Sequence, residues 1–143
     1  KPAPRVPTFG SLRLSKTKIT RANLKPVVLA APGKSPYLDM TLDRSARIVV
    51  FADRVLLGRR SAKGKCVAAT TSNKRRKSCT RYVAVKDAPI IVDRPAGRTI
   101  IRFTGRLGGK KVLPKGNYRL GITAADAATG ALTAIQRLRV TLR

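Results

Sequence analysis

Residues 117–125 read NYRLGITAA, and in this stretch apolar and polar side chains alternate. The apolar side chains occupy the even positions from Tyr118 to Ala124, whereas Arg119 and Thr123 occupy odd positions. Successive side chains of a β-strand point to opposite faces, so the alternation predicts a strand with one buried face. A sheet with one buried and one solvated face is typically antiparallel.

The same alternation recurs on both sides of this stretch, in residues 11–15, 37–43, 98–106 and 135–142. Gly, Pro, Asn and Asp separate these segments, and no segment shows a helical period. The sequence therefore predicts an all-β, antiparallel domain of about seven to eight strands over residues 9–143. Residues 1–8 carry three prolines and are predicted to be a proline-rich leader or linker. The side chains predicted to face the core are Leu12, Leu14, Leu38, Met40, Leu42, Ile101, Phe103, Tyr118, Leu120, Ile122, Ala124, Leu138, Val140 and Leu142.

One predicted strand, residues 46–55, departs from this pattern because it is apolar on both faces. Ile48 and Val50 lie on one face, and Val49 and Phe51 lie on the other. One interpretation is a central strand whose outer face is covered by the segment 85–96. The alternative is an exposed apolar patch that serves in self-association.

The charge of the chain is extreme: 32 Lys and Arg residues stand against 6 Asp, a formal net charge of +26, and there is no Glu, His or Trp. Without histidine no Ser-His-Asp or Cys-His arrangement can form, and two cysteines make a poor metal site. We therefore expect a non-enzymatic protein without metal or cofactor. Self-repulsion of this size destabilises a compact chain unless a polyanion cancels it. The alternative is that the charge only keeps the surface solvated. Solubility alone, however, requires a net charge of only about 2 to 8.

The two cysteines, Cys66 and Cys79, bracket a loop that contains NKRRK at 73–77. A disulfide across this loop would stabilise it by about 3 kcal/mol in the loop-entropy account, and it would indicate an oxidising, extracytosolic compartment. The alternative is two free thiols in a cytosolic protein. Because the chain starts at Lys1 rather than Met, we expect a processed N-terminus. No apolar stretch is long enough to predict a membrane span.

A resemblance to a known family rests on several short segments. LPKGNYRL (113–120) and AADAATG (124–130) resemble the ending of bacterial immunoglobulin-like and fibronectin-type-III-like modules. GKCV (64–67), CTRYV (79–83) and FTGRL (103–107) look like basic, disulfide-bearing versions of this module from exported actinobacterial proteins. The resemblance implies an immunoglobulin-like β-sandwich that is secreted or displayed at the cell surface. It also implies that the hydroxyl of Tyr118 hydrogen-bonds upstream backbone.

Three groups of cations are predicted to bind an anion. Arginine forks bind phosphate and carboxylate with paired hydrogen bonds, and residues two apart on a strand are about 6.6 Å apart, so a row of them suits a linear polyanion. The first group surrounds the cysteine loop, the second lies on strands, and the third forms a turn. Their members are Arg59, Arg60, Lys63, Lys65, Lys74, Arg75, Arg76 and Lys77; Arg98, Arg102, Arg106, Arg137, Arg139 and Arg143; and Lys110 and Lys111.

The sequence thus predicts a secreted polyanion-binding or adhesion module. Its partner would be an extracellular anionic glycan, phosphopolymer or DNA, bound independently of sequence because three Tyr and three Phe leave few platforms for stacking bases. One alternative is a structural subunit of an extracellular filament or surface layer, a homo-oligomer with contacts at Val49 and Phe51. A second alternative is an intracellular ribosomal or nucleoid protein, which composition alone favours.

Overall fold

The computed structural model describes residues 5–143, and this part of the chain is all-β. Within that range no helix is long and apolar enough to cross a membrane. The eleven strands of the described residues are β1 (Phe9–Leu14), β2 (Lys18–Ile19), β3 (Val28–Leu29), β4 (Tyr37–Leu42), β5 (Ala46–Arg60), β6 (Cys66–Ala68), β7 (Ser78–Ala84), β8 (Ile90–Arg94), β9 (Gly97–Arg102), β10 (Gly116–Asp126) and β11 (Gln136–Leu142).

The excess over the predicted seven to eight strands comes from short elements. β2 and β3 have two residues each and β6 has three. Segments this short cannot display an alternation of apolar and polar side chains, so periodicity does not reveal them. They form because a longer neighbour supplies the backbone hydrogen bonds: β2 runs parallel to the end of β11, and β3 runs antiparallel to β9.

The strands form two sheets. The four-stranded sheet has the order β1-β4-β9-β3, and all of its pairs are antiparallel. The seven-stranded sheet has the order β2-β11-β10-β5, and β6, β7 and β8 all pair with β5. Every pair in this second sheet is antiparallel except β2 with β11. The predicted all-β, mainly antiparallel class is therefore confirmed.

One hydrophobic cluster takes side chains from both sheets, and the predicted core residues belong to it or pack against it. The alternation of β10 is confirmed, since Tyr118, Leu120, Ile122 and Ala124 are all buried. Loops close the cluster with Phe103, Leu107 and Leu113. The two-residue alternation therefore identifies the core-facing side chains correctly, because a strand with one solvated face must bury the apolar side chains of its other face.

Two local contacts lie at the ends of β10, and the first of them is the one that the resemblance implies for Tyr118. The hydroxyl of Tyr118 donates a hydrogen bond of 2.7 Å to the carbonyl of Pro114, four residues upstream, and burial raises the pKa of this phenol. In the turn after β10, the Asp126 carboxylate accepts hydrogen bonds from the amides of Ala128 and Thr129 at 2.8 and 3.0 Å. These amides hold the pKa of Asp126 below its usual value.

The predicted leader, residues 1–8, is only partly covered, because residues 1–4 lie outside the described range. In the covered part, Pro7 is buried and the amide of Thr8 donates to the Asp43 carboxylate at 2.8 Å. The chain therefore already contacts the domain at residues 7 and 8, immediately before β1.

Candidate polyanion-binding surface

The strand β5 is long enough to belong to two parts of the molecule. Residues 46–54 pair with β10, and the last of these pairs joins Arg54 to Tyr118. Beyond Arg54 the pairing with β10 stops, and β5 continues between residues of β6 and β7. Residues 55–84 thus form a three-stranded extension with its own two loops, which we call the basic arm.

A disulfide joins Cys66 of β6 to Cys79 of β7, with their Cα atoms 6.0 Å apart. The predicted bond is therefore confirmed, and the two thiols are not free. Gly58 lies in register with Cys79. A Cβ atom on Gly58 would approach the Cys66 Sγ atom to 2.6 Å and the Arg81 Cγ atom to 2.5 Å, far inside normal contact. The arm can close across β5 at this point because residue 58 has no side chain.

Three of the predicted arginines hold the two loops of the arm together. The Arg76 guanidinium donates to the carbonyls of Arg60 and Ser61 at 3.1 and 3.0 Å. In return, the Arg59 guanidinium donates to the Arg76 carbonyl at 3.2 Å, and that of Arg60 donates to the Gly64 carbonyl at 3.0 Å. These cations keep their charge, but part of their hydrogen-bonding capacity is used within the arm.

The other predicted cations of the arm point into solvent. Throughout residues 5–143, none of them has a side-chain hydrogen bond or ion pair, and all are exposed. The arm itself has no carboxylate, since the sequence contains no acidic residue between Asp53 and Asp87. We call these five residues the free cations of the arm: Lys63, Lys65, Lys74, Arg75 and Lys77.

The predicted row on β9 is partly wrong. The strand ends at Arg102, so Arg106 lies in the following loop, where its Nε donates to the Gly109 carbonyl at 2.7 Å. Arg98 and Arg102 face away from the core as predicted, but Arg98 forms a double hydrogen bond with the Asp39 carboxylate at 3.0 and 2.9 Å. Arg102 donates to the Lys25 carbonyl at 2.8 Å. These three arginines therefore do not form one evenly spaced row of unoccupied forks.

The contact with Arg98 also corrects the prediction for Asp39, which the alternation of β4 places on a solvated face. Asp39 does point away from the core, yet it is only 6% exposed. Arg98 on β9 and Arg13 on β1 cover it from both neighbouring strands. The hydrogen bonds from Arg98 hold the pKa of this carboxyl below its usual value, against the effect of burial.

The arginines of β11 lie on the other sheet, and one of them reaches the base of the arm. The Arg139 guanidinium donates to the Tyr82 hydroxyl at 2.9 Å. The ring of Tyr82 is in turn covered by Arg119, whose Cζ atom lies 3.5 Å from the ring centroid. Arg137 is exposed on β11. Arg143 is also exposed, but β11 ends at Leu142, so its predicted position on the strand is wrong. The arm and the β11 row are therefore neighbours, whereas the β9 arginines belong to the four-stranded sheet.

Lys110 and Lys111 lie in the long loop between β9 and β10, and both are exposed. Arg106 is in the same loop. The two lysines therefore lie in a bend of this loop, on a separate part of the chain from the arm.

An apolar surface runs along the outer face of the seven-stranded sheet. Val49, Phe51, Val55 and Leu57 occupy alternate positions of β5, facing away from the buried Ile48 and Val50. The central residues of the segment 85–96 do not cover them, because residues 90–94 form β8 and pair beside β5 in the same sheet. Ile91 therefore stands next to Val49 and extends the surface, and Tyr82 of β7 does the same next to Val55. Leu57, Ile91 and Tyr82 are 61%, 54% and 41% exposed. We call the six residues Val49, Phe51, Val55, Leu57, Tyr82 and Ile91 the apolar stripe.

Sequence reasoning missed two parts of this surface. Val55, Leu57, Tyr82 and Ile91 were not assigned to it, although in β5 the apolar odd positions resume after Asp53 with Val55 and Leu57, and that repeat is a usable signal. Arg119 was placed only on a solvated face; its ion pair with Asp53, at 2.8 Å, depends on the pairing of β10 with β5. The local sequence contains no signal that predicts this ion pair.

No protein-family model and no curated protein matches this chain. Within residues 5–143, no three His, Cys, Asp or Glu side chains are grouped so that they could hold a metal ion.

Proposed function

We propose that this chain is a non-enzymatic, polyanion-binding module of an exported protein and that the basic arm is its main binding site. The observation that carries the proposal is the uncompensated charge of the arm. Its five free cations have no partner within the described residues, and no carboxylate lies anywhere on it. Nothing inside the domain neutralises this charge, so an external anion is the natural counterpart.

The partner is a linear polyanion that is bound through its backbone: an anionic glycan, a phosphopolymer or DNA. Lysine and arginine on two exposed loops contact charges at many angles, and each phosphate contact releases counterions, which makes such binding tight and sensitive to salt. Reading of bases would require exposed aromatic platforms. Tyr82, the one aromatic residue of the arm, has Arg119 stacked on its ring. We therefore expect no sequence preference.

The proposal that the fold is an immunoglobulin-like sandwich is supported by the neighbours of the longer strands. β1, β4 and β9 are adjacent in one sheet, and β5, β10 and β11 are adjacent in the other. An immunoglobulin sandwich has the same arrangement of its A, B and E strands and of its C, F and G strands. The hydrogen bond from Tyr118 to Pro114, at the start of the strand in the F position, has the form of a tyrosine corner. The disulfide favours an extracellular location.

Two variants of equal net charge test the assignment to the arm. In the first, the five free cations are replaced: Lys63→Gln, Lys65→Gln, Lys74→Gln, Arg75→Gln and Lys77→Gln. The matched control replaces five exposed lysines elsewhere: Lys16→Gln, Lys18→Gln, Lys34→Gln, Lys86→Gln and Lys115→Gln. Binding to heparin and to a random-sequence duplex is measured by salt-gradient elution and by fluorescence anisotropy.

We expect the wild type to be retained on heparin at about 0.1 M salt, where the screening length is about 10 Å. The arm variant should elute much earlier than the control. Equal elution of the two variants would mean that net charge alone determines binding, and the arm would lose its role. Free passage of the wild type at this salt concentration would refute polyanion binding altogether.

A second candidate function, a subunit of an extracellular filament or surface layer, is favoured by the apolar stripe. Contiguous exposed apolar patches mark interaction sites on many proteins, and the side chains of the stripe are neighbours on one sheet face. Electron microscopy of the protein with DNA, before and after nuclease treatment, distinguishes the two functions. Filaments that disappear with the nuclease support assembly around DNA, and dispersed monomers under all conditions count against a structural role.

A further inference from the structure

The apolar stripe and the basic arm are parts of the same strands. Val55 and Leu57 of the stripe lie on the portion of β5 that forms the arm, and Tyr82 lies on β7 of the arm. Arg139 and Arg119 fix the Tyr82 ring at the junction, by a hydrogen bond and by stacking. A polyanion on the free cations of the arm would therefore run close to the stripe.

The charges around the stripe oppose direct pairing of two free copies. The carboxylates on this face belong to Asp53 and Asp93, and each is already bound to an arginine of the same sheet, Arg119 and Arg47. The Asp53 carboxylate is largely covered within its pair, whereas that of Asp93 is in an exposed pair with Arg47, so the face offers little negative charge to the cations of another molecule. Arg137 and Arg139 add positive charge beside the stripe. Two copies, each with a net charge of +26, therefore repel one another across this face.

A long polyanion removes this obstacle and brings the copies together. We propose that the occupant of the apolar stripe is a second copy of this chain, and that the contact forms only when neighbouring copies are bound to one polyanion. The inference rests on the proposed function of the arm. It predicts that binding to a long polyanion is cooperative, while the free protein is monomeric.

The small size of the stripe fits a conditional contact rather than a permanent dimer. Stable dimers bury about 800 Å² on each partner, and the stripe consists of six side chains, half of them partly buried by their own neighbours. One of these neighbours is Gly121, above which the Phe51 ring lies so closely that a Cβ atom there would be 2.4 Å from the ring. Such a contact is too weak to overcome the electrostatic repulsion between two free copies. It adds to binding once the polyanion has neutralised their charge. We expect about a tenfold gain in affinity per copy, equivalent to about 1.4 kcal/mol.

The test uses two random-sequence DNA duplexes, of about 10 and about 60 base pairs. The short one is about 34 Å long, at one charge every 1.7 Å. This is about the diameter of one compact domain of this chain length, so the short duplex has room for roughly one copy. Wild-type protein is compared with the stripe variant Leu57→Ser/Ile91→Ser. The control variant, Val6→Ser/Leu24→Ser, removes two similarly exposed apolar side chains outside the stripe. Affinity per site comes from anisotropy titrations, and association from sedimentation velocity.

We expect wild type and control to bind the long duplex about tenfold more tightly per site than the short one, and to form clusters only on the long duplex. The stripe variant should bind the short duplex with the same affinity as the wild type. On the long duplex its affinity per site should be no higher than its affinity for the short one. If all three proteins show equal affinity per site on both duplexes, the association proposal is overturned while the arm keeps its function. If the stripe variant remains as cooperative as the control, the stripe is not the contact. If the wild type binds neither duplex, both proposals fall.

Discussion

Arg75 and Arg76 are neighbours in the sequence with different roles in the arm, and exchanging each for lysine separates charge from hydrogen bonding. Arg75 makes no side-chain hydrogen bond within the described residues, whereas Arg76 donates to the carbonyls of Arg60 and Ser61. Lysine retains the positive charge at both positions. It lacks the planar fork that reaches two carbonyls at once, so only Arg76→Lys should loosen the arm.

The expected magnitude follows from the two hydrogen bonds. Each contributes about 0.5 to 1.5 kcal/mol net, and a lysine ammonium can replace one of them. The free energy of opening the arm should therefore fall by about 0.5 to 1.5 kcal/mol, the value of the one bond that is lost, which raises the open population by a factor of about 2 to 13. Arg75→Lys should leave this population unchanged.

Amide hydrogen exchange measures the open population directly. The amide of Arg60 donates to the Lys77 carbonyl at 2.8 Å, and that of Ser61 donates to the Lys65 carbonyl at 2.7 Å, so both report on closure of the two loops. We expect these amides to exchange about 2 to 13 times faster in Arg76→Lys and at the wild-type rate in Arg75→Lys. Equal exchange in the two variants would refute the division of the arm into cations that support its structure and cations that are free.

The same pair gives a test of binding. Arg75→Gln removes one free cation, so the slope of log affinity against log salt concentration should fall in magnitude by about 0.9, if the partner is duplex DNA. Arg75→Lys should preserve the slope. An unchanged slope in Arg75→Gln would mean that this side chain does not contact the polyanion.

Three further predictions concern the domain itself. Gly58→Ala should destabilise the protein by about 1 to 3 kcal/mol, because the new methyl group overlaps the disulfide. Urea unfolding measures the loss of stability, and a thiol assay shows whether the disulfide still forms. The control Gly33→Ala should be neutral, because Gly33 has open space around it. The carboxyl of Asp39 has a lowered pKa in the folded state, so its stabilising effect is complete above the usual value of 3.8 and is lost as the pH falls through the folded-state pKa. Unfolding at pH 7 and pH 3 should therefore show a smaller acid-induced loss of stability in Asp39→Asn than in the wild type. Tyr118→Phe removes one hydrogen bond and should cost about 0.5 to 1.5 kcal/mol in urea unfolding; unchanged stability would contradict a structural role for the hydroxyl.

The longer strands and their core-facing side chains were predictable because they depend on a local repeat. In β10 the even positions are apolar, and burial of one face follows from the geometry of an extended chain. The disulfide was also predictable, since two cysteines around a basic loop leave few alternatives. The immunoglobulin-like sandwich and the anion-binding residues remain predictions that these observations support but do not test.

Pairing between distant strands limited the rest. Asp39 and Arg98 are 59 residues apart, so their ion pair depends on β4 lying beside β9. The position of β8 beside β5, rather than over it, depends on register in the same way. Alternation fixes which way a side chain points, but it does not identify the strand next to it. An arginine that looks free in the sequence can therefore be bound in the fold.

The distribution of the six aspartates explains where the positive charge is available. Five of them form ion pairs within the described residues, and all of these pairs lie on the two sheets or their adjoining turns. Only Asp87 forms none there, and it lies outside the arm. The few carboxylates thus lie where arginines pack against strands. Asp39, for example, forms ion pairs with Arg98 and Arg13. The arm receives none, and its loops are held instead by hydrogen bonds from arginines to carbonyl groups, which leave the positive charge intact. A domain that needed only solubility would gain nothing by excluding carboxylates from its most cationic segment, whereas a domain that binds an external polyanion would.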